Sequence, residues 1–461
     1  MPASTTVLQR LLTVAAALSL IAAIGVNASV ARAITAPTIT ILDISPSGDS
    51  YALDEDDNTS VAFNGGMLFQ ADNGTDGYEL FKSDGTVAGT VLVKDINPSG
   101  DSYIDYMVVM GGSAYFQASD GSNGTELWKS DGTEAGTVMV KDINPSGSSS
   151  ARRLVVVGST LYFEANDGSS DYELWKSDGT EAGTVMVKDI NPSDSSSPRD
   201  FAVVGSTLYF RANDGTNGNE LWKSDGTAAG TVMVKDINTG GDSYPNILAV
   251  AGSTLYFQAD DGSNGYELWK SDGTAAGTVM VKDINTSGDT SSYPVDLTTI
   301  GSVFYFEAKN GDSVNGYELW KSDGTDAGTM MVKDIEVGSD GSSPDNLTRH
   351  GDLLYFFAYT AANGEELYLS DGTEVGTMRI PAPAAPYYVQ CDCYDNPIQS
   401  TSVGVFFTYY DETVGHELGF ISDPLPATNT SGNGLALALL ALSGVLAAGA
   451  VIARRKELRA N

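Results

Sequence analysis

Glu173-Leu174-Trp175-Lys176-Ser177-Asp178-Gly179-Thr180 is one of seven near-identical phrases in this chain. Their aspartates fall at Asp84, Asp131, Asp178, Asp225, Asp272, Asp323 and Asp371, in steps of 47, 47, 47, 47, 51 and 48 residues. Around the quoted copy the sequence reads as four short strands: Leu154 to Val157, Thr160 to Ala165, Tyr172 to Lys176 and Val185 to Ile190. Gly158-Ser159, the Asx/Gly/Ser loop Asn166 to Asp171, and Ser177 to Thr184 separate them. A period in the forties with four strands per copy is the signature of a β-propeller, one repeat making one blade. We label the strands a to d from the innermost outward.

Strands b and c are apolar at nearly every position, as a blade packed on both faces requires. The aromatic of strand c is Phe81, Trp128, Trp175, Trp222, Trp269, Trp320 and Tyr368 in turn, and it reads as core between blades. The Ser-Asp-Gly-Thr turn between c and d has a structural mechanism. Asp accepts local N–H groups, Gly takes a positive φ, and Thr bonds back to the chain. In role this turn resembles the Asp-box hairpins of sialidase propellers.

The two ends of the repeat region complement each other. Leu42 to Tyr51 matches Lys94 to Tyr103 nearly residue for residue, so the region opens on a lone strand d. It closes on Val405 to Tyr410 and Gly415 to Asp423, a degenerate b and c with no d after them. The expected fold is therefore all-β: an eight-bladed β-propeller of four-stranded blades, closed by pairing of the N-terminal strand, with no exposed sheet edge.

Sixty acidic residues against 25 basic ones give a net charge of −35, which repels phosphate backbones and excludes nucleic acid as an expected partner. Residues 1–33 read as a signal peptide: Arg10, an apolar run from Leu11 to Val26, then Ala31-Arg32-Ala33. The propeller is expected over 34–423 and a linker over 424–434. Residues 435–453 are expected to form a transmembrane helix, with 454–461 as a basic cytoplasmic tail. These features give one topology, with the repeats outside the cell and the membrane reached through the C-terminal helix. Leu425-Pro426-Ala427-Thr428-Asn429 resembles the sorting signal of Gram-positive surface proteins, with Asn429 where that family has Gly. Sortase attachment to the wall, a retained single-pass anchor and processing by another C-terminal sorting system all stay open. Cys391 and Cys393 are the only cysteines, so disulfides do not hold the fold together.

In such blades the b–c loops and the d-to-a crossovers share one face of the ring. All the length variation lies there, around Thr290-Ser291-Ser292, Asn310 to Asn315 and Glu336 to Asp345, and variable loops on a fixed scaffold are where binding residues are placed. The crossovers space oxygen groups at alternate positions, as short calcium loops do. Candidate metal ligands are Asp95, Asn97 and Asp101, then Asp236, Asn238 and Asp242, then Asp283 and Asn285. Calcium is the candidate cofactor, and Asx turns without a metal account for the same loops.

From residue 38 to 423 the chain resembles the bacterial proteins named for an ELWxxDGT repeat. The resemblance implies an exported or surface repeat protein and no established enzymatic activity. The leading expectation is a cell-surface binding or adhesion scaffold that presents its acidic variable face to an extracellular protein, a glycan or a cation. The alternatives are an extracellular propeller enzyme, hydrolase or quinoprotein-like, and a purely structural surface-layer component. No catalytic residue stands out: His350 and His416 lie in different repeats, and Cys391 and Cys393 are separated by one residue where quinoproteins use adjacent cysteines.

Overall fold

The computed structural model describes residue 44 and residues 59–84, 86–169, 171–286, 291–311, 315–380, 387–388, 398–401, 404–411 and 415–422. The expected signal peptide, the lone strand before Ile44, Cys391 and Cys393, the linker and the C-terminal segment lie outside the described residues. Among the described residues no helix is long and apolar enough to cross a membrane.

Seven four-stranded antiparallel sheets follow one another along the chain, each in the order a-b-c-d. In the third they are Arg152–Val157, Thr160–Asn166, Tyr172–Ser177 and Val185–Lys188. An eighth, less regular sheet pairs Tyr387–Tyr388 and Gln399–Thr401 with Gly404–Asp411, which in turn pairs with Gly415–Ser422. The innermost strands touch in chain order, from Ser60–Phe63 through Asp105–Met110 and onward to Gln399–Thr401. That succession is the arrangement of a propeller.

Each seam between neighbouring sheets is a separate small core. Between sheets 2 and 3, Leu127, Val140 and Ile143 from one side meet Leu161, Phe163, Ala165 and Trp175 from the other. The c-strand tryptophans are 5 or 6% exposed and face the preceding sheet. No sheet buries both faces alone, which is why one repeat cannot fold by itself. Ile44 packs, together with Met67 and Leu92, against the buried cluster of Phe69, Ala71 and Phe81, on the face of sheet 1 that sheet 2 does not cover. Ile96 makes the corresponding contact one repeat later, against Phe116 and Trp128.

Strand d is shorter than its sequence suggests. Leu174 pairs with Lys188 but Trp175 with Met186, so the ladder bulges and stops at Lys188. The Ile190 N–H then turns away from the sheet to the carboxylate of Glu173, 2.9 Å away. In the crossover after sheet 6, where the longer repeat inserts a residue, Gly338–Gly341 adds a strand parallel to Asn315–Ser322.

The repeated phrase is consumed almost entirely by construction. Asp131 Oδ1 accepts from the Thr133 N–H and hydroxyl, and the Thr133 hydroxyl accepts from Gly136 N–H. Ser130 and Thr137 hydroxyls meet at 2.8 Å across the hairpin. The lysine ties blades together: Lys129 Nζ donates to Gly179 O and Lys141 Nζ to Thr184 O, both in the c–d turn of the next sheet. Twelve lysines, from Lys82 to Lys333, tie six successive sheets to the c–d turn of the next sheet, with Lys282 reaching Asp326 O and its carboxylate in place of the Thr carbonyl. In sheet 7 Leu369 stands in the lysine position and is buried among Tyr355, Phe357 and Val405, so that seam is apolar.

Candidate binding face

The crossover face is organised by the glutamate of the phrase. Glu79, Glu126, Glu173, Glu220, Glu267 and Glu318 have no exposed surface. Each carboxylate reaches out of strand c and gathers the crossover that follows. Glu220 Oε2 accepts from Ile237 N–H at 2.9 Å and from the Ser243 hydroxyl at 2.7 Å, while Oε1 accepts from Ser243 N–H at 3.2 Å. Burial pushes the Glu79, Glu173, Glu220 and Glu267 carboxyls up to about 7, partly opposed by these hydrogen bonds and reinforced by the charges of Asp95, Asp189, Asp236 and Asp283. Glu126 and Glu318 are raised by burial in the same way.

The candidate metal ligands fall in these crossovers. Asn97 Oδ1 accepts from Ser99 N–H and its amide donates to Asp101 O; Asn238 does the same with Gly240 and Asp242. Asp101 and Asp242 each accept an N–H at the start of a strand c, from Tyr78 and Asn219. The Asn285 amide donates to Ser291 O. Asp95, Asp236 and Asp283 each keep one buried oxygen without a hydrogen bond. The three repeats therefore place their ligands in equivalent crossovers, and most of those oxygens or amides serve the backbone. Among the described residues no three Asp, Glu, His or Cys side chains are grouped so as to hold a metal ion.

One position of this face was not singled out from sequence. The residue after the crossover serine has a positive φ in six successive crossovers: Tyr103, Ser150, Ser197, Tyr244, Tyr293 and Ser343, at 51, 48, 47, 42, 45 and 42°. The turn imposes it, because the preceding serine is pinned by the buried glutamate and by the chain; Ser243 and Tyr244 N–H both bond Asn219 O. Left-handed backbone costs a non-glycine residue about 1–2 kcal/mol. Glycine would relieve it, yet none of the six is glycine and three are tyrosine, 62, 42 and 40% exposed. The sequence signal was available: a Tyr/Ser alternation at one position inside an otherwise repeated crossover.

Beside two of these tyrosines lie cations that the repeat does not use. The Arg211 guanidinium sits 5.9 Å from the Tyr244 ring and 3.2 Å from Asp200. Lys309 Nζ lies 5.0 Å from the Tyr293 ring and 5.2 Å from that of Tyr317. Tyr266 stacks on Tyr293 at 5.5 Å. Deeper, among the innermost strands of sheets 5 to 8, is a cavity of about 580 Å³ lined by Asn246, Asp296, Thr298, Asp345, Asn346 and Ile398 among others. Burial and the adjacent Asp345 push Asp296 up to about 6. Burial, Asp296 and Asp345 push Glu307 up to about 8.

Neither a family model nor a curated protein matches the chain. Among solved structures it is similar to a prolyl endopeptidase, at 13% identity and a TM-score of 0.41, over 77% of this chain and 54% of that one. It is also similar to prolyl oligopeptidase B from Galerina marginata, at 12% identity and a TM-score of 0.39, over 70% of this chain and 51% of that one. A third is the β-propeller domain of the Trilobed protease from Pyrococcus furiosus, at 10% identity and a TM-score of 0.36, over 70% of this chain and 96% of the domain. The chain thus spans about half the length of the two peptidases. Its propeller arrangement rests on its own sheets and their order rather than on these likenesses.

Proposed function

We propose that the chain is a cell-surface binding scaffold of the ELWxxDGT type, an eight-bladed ring displayed outside the membrane by its C-terminal helix, which engages an extracellular ligand through the crossover face. One observation carries this reading. The residues common to all repeats are spent on cores, turns and seams, whereas exposed, blade-specific tyrosines are held in left-handed backbone on that face alone. Closure of the ring by the N-terminal strand is part of the proposal, supported by Ile44 on the outer face of sheet 1.

The test is a glycan and extracellular-protein array probed with the full-length chain and two groups of variants. Tyr103→Ser, Tyr244→Ser and Tyr293→Ser copy what other blades carry and should abolish binding. Substitutions at exposed c–d turn residues, such as Glu134→Lys and Glu181→Lys, should not. Loss of binding confined to the turn variants would sink the assignment. A propeller hydrolase is the second reading, favoured by Asp296 and Asp345 in the cavity. Under it, Asp296→Asn removes a turnover that the tyrosine variants keep.

A further inference from the structure

The crossover face does not carry its aromatic and cationic groups evenly. Arg211 of sheet 4, Tyr244 of the next crossover, Tyr266 of sheet 5, Tyr293 of the crossover after it, and Lys309 and Tyr317 of sheet 6 form one stripe across three consecutive sheets. At the Arg211 position the other repeats have Gln70, Gln117, Glu164, Gln258, Glu307 and Phe357; at the Lys309 position they have Asp72, Ser119, Asn166, Asn213, Asp260 and Tyr359. Among the described residues Lys309 is the single lysine outside the seam ties, and its ammonium joins no ion pair. In a chain of net charge −35, Arg211 and Lys309 are cations placed by departures from the repeat and both lie on tyrosine rings, as Arg152 does on Tyr172, 4.3 Å away in sheet 3.

We infer that this stripe binds a glycan whose sugar rings bear carboxylates, an assignment that rests on the reading of the crossover face as the ligand-binding one. The exposed parts of Tyr244 and Tyr293 offer ring carbons and hydroxyls, which suit the C–H groups and hydroxyls of pyranose rings. Their backbone is fixed by the buried glutamates, so little ordering is left to be done on binding. The Lys309 ammonium has donors to spare for a carboxylate, and such charge-assisted bonds are the strong ones. A protein partner would call for an apolar centre, and among the described residues Val337, in the crossover after sheet 6, is the one large exposed aliphatic in a crossover, whereas Val91, Val138, Val185, Val232 and Val279 sit at the start of strand d. The surrounding acidity disfavours densely charged sulfated or phosphorylated polymers and leaves room for spaced carboxylates.

The experiment titrates the full-length chain with short oligogalacturonate, alginate and hyaluronate fragments and with the methyl ester of each, which keeps the ring and loses the charge. We expect one of the acidic fragments to bind, more weakly as salt rises, and its esterified form to bind at least tenfold less well. Tyr293→Ser should weaken binding at least tenfold. Lys309→Gln should bring acid and ester to equal affinity, and Glu134→Lys, in an exposed c–d turn away from the stripe, should change nothing. The serine variants retain the side chain found at Ser150, Ser197 and Ser343, so melting temperatures should match and exclude misfolding as the cause. Equal affinity for acid and ester in the unmodified chain, or wild-type affinity in Tyr293→Ser, overturns the inference. So does failure of every acidic fragment; a different ligand that still maps to the crossover face would then leave the scaffold reading standing alone.

Discussion

Glu220→Gln isolates the energetic role of the buried carboxylates. Glu220 titrates at about 7 in the fold against 4.5 for a free glutamate, with burial the largest cause. Between those values the folded chain keeps a proton that the unfolded chain has lost, so stability falls as pH rises through the window and returns on acidification. From pH 8 to pH 5 one such group returns about 2.5 kcal/mol, a tenfold difference in proton affinity being worth about 1.36 kcal/mol. For a fold of roughly 350 residues gaining ~2.1 cal/mol/K of entropy each on unfolding, that is about 3 °C in Tm. The glutamine keeps a carbonyl for the Ile237 N–H and has no charge to desolvate. Melting followed by circular dichroism at pH 8 and pH 5 should show the wild-type Tm rising on acidification and the variant rising by about 3 °C less. The turn aspartates Asp84, Asp131, Asp178, Asp225, Asp272 and Asp323 are held below the usual carboxylate range, chiefly by their Thr hydrogen bonds, so they act only in stronger acid and do not mask the effect. A wild-type Tm that is flat or falls from pH 8 to pH 5, or a variant with an unchanged pH slope, would refute the reasoning.

Gly226→Ala should cost well over the ~1 kcal/mol of a left-handed alanine, because its Cβ would overlap the Tyr162 hydroxyl from the preceding sheet; Gly205→Ala, with open space around it, should cost only that backbone term. Chemical denaturation of the two variants side by side decides it, and equal losses would mean the seam yields. Deleting Thr38 to Ile44 should lower Tm and promote self-association through an unpaired edge, and a deletion that stays monomeric with unchanged Tm argues against closure by that strand. If the crossovers take calcium through the unsatisfied oxygens of Asp95, Asp236 and Asp283, millimolar calcium raises Tm beyond sodium at matched ionic strength; equal shifts leave only screening.

The period exposed the sheets because each repeat carries its own turn chemistry. Gly132, Gly179 and Gly226 take the positive φ expected of the Ser-Asp-Gly-Thr turn, and the c-strand tryptophans are buried as expected. Other features stayed hidden for a physical reason. Glu173 alternates with apolar residues in a strand and reads as solvent-facing, because its partners, Ile190 and Ser196, lie 17 and 23 residues away. The same carboxylate ends strand d early, so that boundary could not be read from β-propensity either. The tyrosine stripe is built from residues on three sheets and two crossovers. Only folding brings Arg211, Tyr244 and Lys309 to one face.

The lysine ties also have a direction. Each sheet donates to the turn of the one that follows it in the chain and receives from the one before. The molecule is therefore vectorial: a sheet emerging during synthesis finds its donors already in place, while its own lysines wait for a sheet still to be made. A fault in one repeat should propagate toward the C-terminus and spare the turns behind it. Amide exchange on Lys176→Met would record that as lost protection at Gly226 with Gly132 unchanged. The sequence of ties stops at Leu369, where an apolar contact takes over and the last seam becomes one that can be made late.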